Sequence, residues 1–217
     1  MARSGAKRQM GPRPSPGSED TRRALIAGAI EALREEGFSG ASARAIARRA
    51  GCNQGLVFYH FGSVTNLLLA ALDEVSALRL ARYQSAVAAV RDAGDLVETA
   101  RSIFEEDLDA GYISVLAEMI AGAASTPGLG MEVAARIAPW REFAAAAVRD
   151  TLADSPLAQL LAPEEVAHGI VALYLGLEML AHLDGDRSTA LALLDRAGQL
   201  TALLGVLGGT STTKERT

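Results

Sequence analysis

Residues 37–72 read GFSGASARAIARRAGCNQGLVFYHFGSVTNLLLAAL, and the fold turns on how this stretch is divided. Ser42 is a capping hydroxyl before an apolar face of Ile46, Ala47 and Ala50, and Gly51 ends that helix. Asn53 is a good cap for a second short helix carrying Leu56, Val57, Phe58 and Phe61. Ser63 caps a third, long helix through Leu67, Leu68, Ala71, Leu72, Val75 and Leu78 to about Tyr83 or beyond. Two short helices joined at Gly51-Cys52-Asn53 are a helix-turn-helix signature. A preceding helix over about 19–36, with Ser18 to Thr21 as its start, Ile26, Ala29, Ile30 and Leu33 on its face and Gly37 as its stop, packs across both.

Such a unit asks its last short helix to fill a small core with one face and to lie in a DNA major groove with the other. Phe58 and Phe61, three apart, are expected to share the inward face with Val57, against Ile30, Leu33, Ile46 and Ala50. Tyr59 and His60 then point outward, offering a hydroxyl and an N–H to phosphate oxygens. Asn53 and Gln54 stand at the end that enters the groove, where Gln54 reads adenine through N6 and N7. Arg44, near the start of the preceding helix, reaches the DNA backbone. Arg48 and Arg49 read as a solvated face, and Cys52 as a small buried hydrophobe in the turn.

Charge supports a polyanion contact at this end only. Residues 1–62 hold ten Lys/Arg against five acids, a net +5, and the remainder eleven against twenty-one, a net −10. A basic front on an acidic body suits local contact with nucleic acid. With 217 residues, 49% hydrophobic and only 5% aromatic, the chain is long enough for a real core, and its Ala/Leu richness favours an all-α fold. The single Cys excludes an intrachain disulfide and suits a reducing cytoplasm. No apolar run reads as a membrane span, and the basic N-terminus lacks the apolar region of a secretory signal.

Residues 1–17, with alternating Pro12, Pro14 and Pro16, read as a flexible basic arm. Helices are expected over about 96–109 and 111–124, split at Gly111, and over 129–153 with a kink or break at Pro139. A loop follows at Ser155-Pro156. A helix from Pro163 to about Leu183 and a last one from a Ser188 cap to about Leu207 complete the chain, with a loose tail over 208–217.

The stretch 37–72 resembles the DNA-binding segment of the TetR family of bacterial transcriptional regulators. The resemblance lies in Gly37-Phe38, Ser42, Ile46-Ala47, Ala50-Gly51, Gly55 and Tyr59-His60-Phe61 before the helix at Ser63, and covers about 20–72. It departs at Val64, where such families usually have a phosphate-contacting Lys, so that contact is either lost or taken over by Thr65 or the arm. Ala45 stands where an acid often completes a capping box, and Leu56 where a Thr is frequent, placing an apolar group against a thymine methyl. DNA contact is thus expected at Ser42, Arg44, Asn53, Gln54, Gly55, Leu56, Tyr59, His60 and Thr65.

What the resemblance implies is a helix-turn-helix domain at 18–62 and a ligand-binding and dimerisation domain at 63–207. Pocket candidates are Phe104, Tyr112, Leu116, Met119, Trp140, Phe143 and Tyr174, with Glu118 and Arg136 as polar handles, and the effector is a small, largely hydrophobic molecule. The last two helices carry Val166, Gly169, Leu173, Gly176, Leu177, Leu180, Leu191, Leu194 and Leu200, a surface for a four-helix homodimer interface. The implied function is a ligand-released repressor on a palindromic double-stranded operator. The alternative is a helical small-molecule-binding or scaffold protein without sequence-specific DNA binding, which only Val64 supports.

No cofactor, metal or catalytic constellation is expected. His168 and His182 lie roughly 21 Å apart along one helix. Glu164 and His168 read as a solvated pair, and Gly128-Leu129-Gly130 lacks the preceding strand of a nucleotide loop.

Overall fold

The computed structural model describes residues 16–153 and 162–209, and among them nine helices and no strand. They are α1 (Pro16–Gly40), α2 (Ala43–Arg49), α3 (Gly55–Phe61), α4 (Val64–Val87), α5 (Ala93–Ala110), α6 (Tyr112–Ala123), α7 (Leu129–Leu152), α8 (Pro163–Asp184) and α9 (Ser188–Gly209). The expected arm, apart from its last two residues, the loop at Ser155-Pro156 and the tail beyond 209 lie outside the described residues.

Most boundaries follow their caps. Ser42 and Ser63 accept the amide protons of Ala45 and Asn66, the bonds that satisfy the first turns of α2 and α4. Asp92 does the same for Asp95, so α5 starts at Ala93, three residues earlier than its apolar periodicity indicates. The turn after α2 is a Schellman ending: the Cys52 and Gly51 amides donate to the Ala47 and Arg48 carbonyls at 3.0 and 3.3 Å. Gly51 has φ 64°, which a side chain would resist. Two expected caps are corrected. α3 begins at Gly55, with the Asn53 side chain accepting from the Gly55 amide at 2.8 Å. At α9 it is Asp186, not Ser188, whose carboxylate takes the Ser188 amide, at 2.8 Å. Gly37 breaks α1 with φ 71°, yet helix resumes to Gly40, and α7 runs through Pro139.

One apolar cluster ties the small helices to the body. Leu25, Ala29, Ala32 and Leu33 of α1 meet Ile46 of α2, Val57 of α3 and Leu67, Leu68 and Leu72 of α4. The same cluster continues into Ile113, Leu116 and Met119 of α6 and Leu129 and Val133 of α7. The junction of α1 and α6 is tight. The Glu118 carboxylate accepts the Phe38 amide proton at 2.8 Å, and a methyl at Gly122 would overlap the Phe38 ring. Gly122→Ala is therefore expected to destabilise. Displacing the ring costs about 1–3 kcal/mol, more than the gain of about 1 kcal/mol from removing a helical glycine. Urea denaturation checks the sign.

A second, smaller cluster joins Phe104 of α5, Leu177 of α8 and Ala190 of α9. α8 lies along α7 and α9 along α5. At 22 residues, α8 is long and apolar enough to cross a membrane by length and composition, a run the sequence reading passed over. Here one side of it is packed within the helical body and the other carries exposed Leu173, Leu180 and Leu183.

Candidate nucleic-acid interface and effector site

The orientation of α3 is set by Val57, fully buried, and by its i+4 neighbour Phe61, half-buried against the same core. This pair turns Tyr59 directly outward, 79% exposed, with His60 half-buried beside it and their rings edge to face at 4.9 Å. It also corrects the expectation for Phe58, which is 52% exposed rather than inward. One helical turn cannot present both Val57 and Phe58, 100° apart, to a narrow core, and the i,i+4 pair prevails over the i,i+3 pair. Phe58 and Tyr59 together make an exposed aromatic face on α3.

Arg44, Ala47, Arg48, Cys52, Asn53 and Gln54 line one open groove beside that face. Ser42 and Gly55 are exposed at the starts of α2 and α3, and Thr65 is half-buried in the first turn of α4. Leu56 is half-buried and packs against the core, which turns it away from the base contact expected of it. Val64 also packs there, and Ala45 is buried. At these positions where the chain departs from the family pattern, apolar contact has replaced a polar role.

The basic residues divide. Arg49 is held between Glu35 and Glu36, each at 2.7 Å, and these bonds raise its already high pKa. Arg48 pairs with Glu36 at 3.3 Å. Arg44 is exposed and makes no ion pair among the described residues. Burial pushes the Cys52 thiol up, away from the thiolate that redox chemistry needs.

The expected pocket residues separate into two groups. Leu116 and Met119 are core between α1, α4 and α6, and Glu118 is spent on Phe38; these three are corrected. Arg136 bridges Asp73 of α4 at 2.8 Å and Glu132 at 2.9 Å, so it too is an internal tie rather than a free handle. Phe104, Tyr112, Trp140, Phe143 and Tyr174 surround a feature absent from the sequence reading, a buried polar cluster centred on Arg79. Its guanidinium donates to Asp107 Oδ2 from Nε and Nη2, at 3.0 and 2.6 Å, and to Glu178 Oε1 at 2.6 Å. It lies over the Trp140 and Tyr112 rings at 5.3 and 5.7 Å. Tyr83 and Tyr174 donate to Asp107 at 3.3 and 3.5 Å and touch each other through their hydroxyls.

Burial would lower the Arg79 pKa, but Glu178 and Asp107 outweigh it and hold the group charged. Burial, and then neighbouring charge, keep both tyrosine hydroxyls protonated. Burial pushes the Glu178 carboxyl up to about 7, against the pull of Arg79. A sequence signal existed: Leu68, Leu72, Val75, Arg79 and Tyr83 follow helical spacing, so Arg79 interrupts an inward stripe.

The expected dimer surface also splits. Leu177 is buried in the second cluster, and Leu191 and Leu194 pack against it, so these three serve the subunit's own core. Gly169, Leu173, Gly176 and Leu180 are exposed on α8, Leu200 is exposed on α9, and Val166 is half-buried.

A short, outward aromatic helix held on a Schellman turn completes a helix-turn-helix. A family model described as "Bacterial regulatory proteins, tetR family" matches residues 25–71, from the core face of α1 into α4. The HTH-type transcriptional repressor AcnR of Corynebacterium glutamicum is 32% identical over 101 residues, 46% of this chain and 49% of that protein, so the match spans about half the relative's length. A TetR-family regulator from Cytophaga hutchinsonii superposes with a TM-score of 0.73 at 16% identity, covering 88% of this chain and 97% of that one. FadR of Bacillus subtilis, solved with stearoyl-CoA, superposes at 0.70 with 14% identity over 82% and 96% of the two chains. A TetR-family member from Streptomyces coelicolor is 25% identical, with a TM-score of 0.60 over 82% and 97%. Residues 25–71 are thus similar to the DNA-binding segment of the tetR family, and the described helices share the fold of these solved structures.

Proposed function

We propose that this protein is a transcriptional repressor that binds a palindromic operator as a homodimer and is released by a small effector. The observation that carries this reading is the face of α3: Tyr59 and Phe58 stand exposed on a helix that buried Val57 anchors, beside the groove of Arg44, Asn53 and Gln54. Residues 18–62 are the DNA-binding part, and 63–207 bind the effector and the second subunit. Arg44, Tyr59 and His60 contact phosphates, Gln54 reads a base edge, and Phe58 adds apolar contact to sugar or thymine methyl groups. Half-sites about 34–36 Å apart are met by two copies related by a twofold axis.

FadR of Bacillus subtilis, solved in complex with stearoyl-CoA, supports a small-molecule effector as a class. The effector acts by population shift, binding more tightly to a state in which α4 holds the recognition helices at the wrong separation. α4 is the natural lever. It leaves α3 at an angle of 67° and carries Arg79.

Fluorescence anisotropy with DNA from upstream of the protein's own gene tests the reading. Affinity is expected to fall steeply with salt, as phosphate neutralisation requires. The pair Tyr59→Ala and His60→Ala is expected to weaken binding at least tenfold, since hydrogen bonds to charged groups contribute about 1.5–3 kcal/mol each. Thermal stability should change little, because Tyr59 is largely exposed and its ring partner is His60, so neither side chain belongs to the apolar core. Unchanged affinity would remove these residues from the interface, and weak binding indifferent to sequence would defeat the repressor reading.

A further inference from the structure

Arg79, Asp107 and Glu178 are the only buried charged side chains among the described residues, and they do not balance. One guanidinium faces two carboxylates. Asp107 is 1% exposed and Glu178 not at all, yet Asp107 Oδ1 and Glu178 Oε2 have no hydrogen-bond partner. Two bare, buried carboxylate oxygens are costly and call for donors.

The surroundings suit an organic cation. Tyr83 stands edge to face against Trp140, Phe143 and Tyr174 at 5.4, 6.3 and 5.9 Å, and Tyr174 against Phe104 at 5.1 Å. Aromatic faces attract cations, here already shown by the stacking of Arg79. Tyr112, Trp140, Phe143 and Tyr174 are only half-buried, so the aromatic shell is not sealed.

We propose that the cluster is the polar end of the effector site, and that the effector is a small aromatic molecule bearing an N–H-donating cation, such as an amidinium, guanidinium or primary ammonium. Its N–H groups bond the free oxygens of Asp107 and Glu178, and its ring lies against the aromatic shell. This deepens the effector-binding part of the proposed function and rests on it. It narrows the largely hydrophobic ligand that the sequence suggested to one that is apolar at one end and cationic at the other. It also links occupancy to DNA, because Asp107 on α5 and Glu178 on α8 hold Arg79 on α4, and a competing donor alters how α4 is clamped.

The test uses the full chain without DNA, and three probes of one shape: benzamidine, benzamide and benzoate. Trp140, the only tryptophan, reports binding by fluorescence. Benzamidine is expected to bind at least tenfold more tightly than benzamide, and benzoate not to saturate. Glu178→Gln keeps the Arg79–Asp107 pair, so it is expected to fold, and it should reduce the benzamidine preference severalfold; Asp107→Asn is the second variant. Equal binding of benzamidine and benzamide, no response to any probe, or an undiminished preference in a folded Glu178→Gln protein would overturn the proposal. Failure of the repressor reading registers separately, as loss of operator binding in the anisotropy measurement while benzamidine still binds.

Discussion

Arg79→Ala is expected to lower the unfolding free energy by about 3–5 kcal/mol, the usual cost of leaving buried charge without its partner, with a fall in Tm on the order of 10 °C. Arg79 is 7% exposed and makes three short bonds to carboxylates that are themselves sealed from water. Removing it strands Asp107 and Glu178 together with no cation between them. The loss exceeds anything expected of the rim pairs such as Arg91–Asp95, 2.9 Å apart but exposed, where less than about 1 kcal/mol is at stake. Combining Arg79→Ala with Glu178→Gln removes one stranded charge and should recover ~1 kcal/mol or more. Denaturant unfolding of the four proteins gives the coupling directly. A loss from Arg79→Ala below about 1 kcal/mol would mean that the cluster is hydrated and that its charges are effectively at the surface.

The same cluster sets a pH dependence of stability. Glu178 titrates near 7 in the folded chain, against an ordinary value of 4.5. Between those values the folded state binds the extra proton, so stability falls as pH rises. This contribution is complete below about 4.5 and is lost as pH passes through about 7. Wild-type Tm measured from pH 5 to 8 should therefore carry a descending component that Glu178→Gln lacks. Arg79, Asp107, Tyr83 and Tyr174 face the carboxyl; the cation stays charged and both phenols stay protonated throughout this range.

The helix-turn-helix was legible because its punctuation is local. Ser42, Gly51 and Ser63 act within four residues of themselves, so capping and turn chemistry read directly from the chain. The direction of Phe58 was not legible, because it depends on which neighbour the core of α1 and α4 admits. Spacing alone allows either Val57 with Phe61 or Phe58 with Phe61. The larger helical body was harder for the same reason. Leu116, Met119 and Trp140 carry similar apolar patterns, and only the packing of α6 on α1 and of Trp140 on Arg79 separates core from site. Asp107 and Glu178, 71 positions apart in the chain, meet through a third helix, a relation that no local pattern records.

Leu173→Glu with Leu180→Glu is expected to convert the protein to a monomer and to lower operator affinity on the order of 10²-fold or more. Gly169, Leu173, Gly176, Leu180 and Leu183 recur at alternating spacings of four and three on α8, the seam spacing of paired helices. Leu173, Leu180 and Leu183 are 60%, 60% and 73% exposed, and a side chain added at Gly169 or Gly176 would meet nothing within 4 Å. Large apolar groups alternating with glycines let a second copy of the helix approach closely across a twofold axis. Each leucine buried there contributes about 1.5–3 kcal/mol, and each occurs twice in a symmetric dimer. Glutamates in their place lose that burial and set like charges against one another. The isolated subunit keeps its fold, since neither leucine belongs to the internal clusters. DNA affinity falls because each half-site must then be bound independently, without the effective concentration that linkage supplies. Sedimentation of the variant at micromolar concentration, beside anisotropy with the operator, separates the steps: a dimer that persists would move the interface off α8, and a monomer with full affinity would show that one recognition helix suffices.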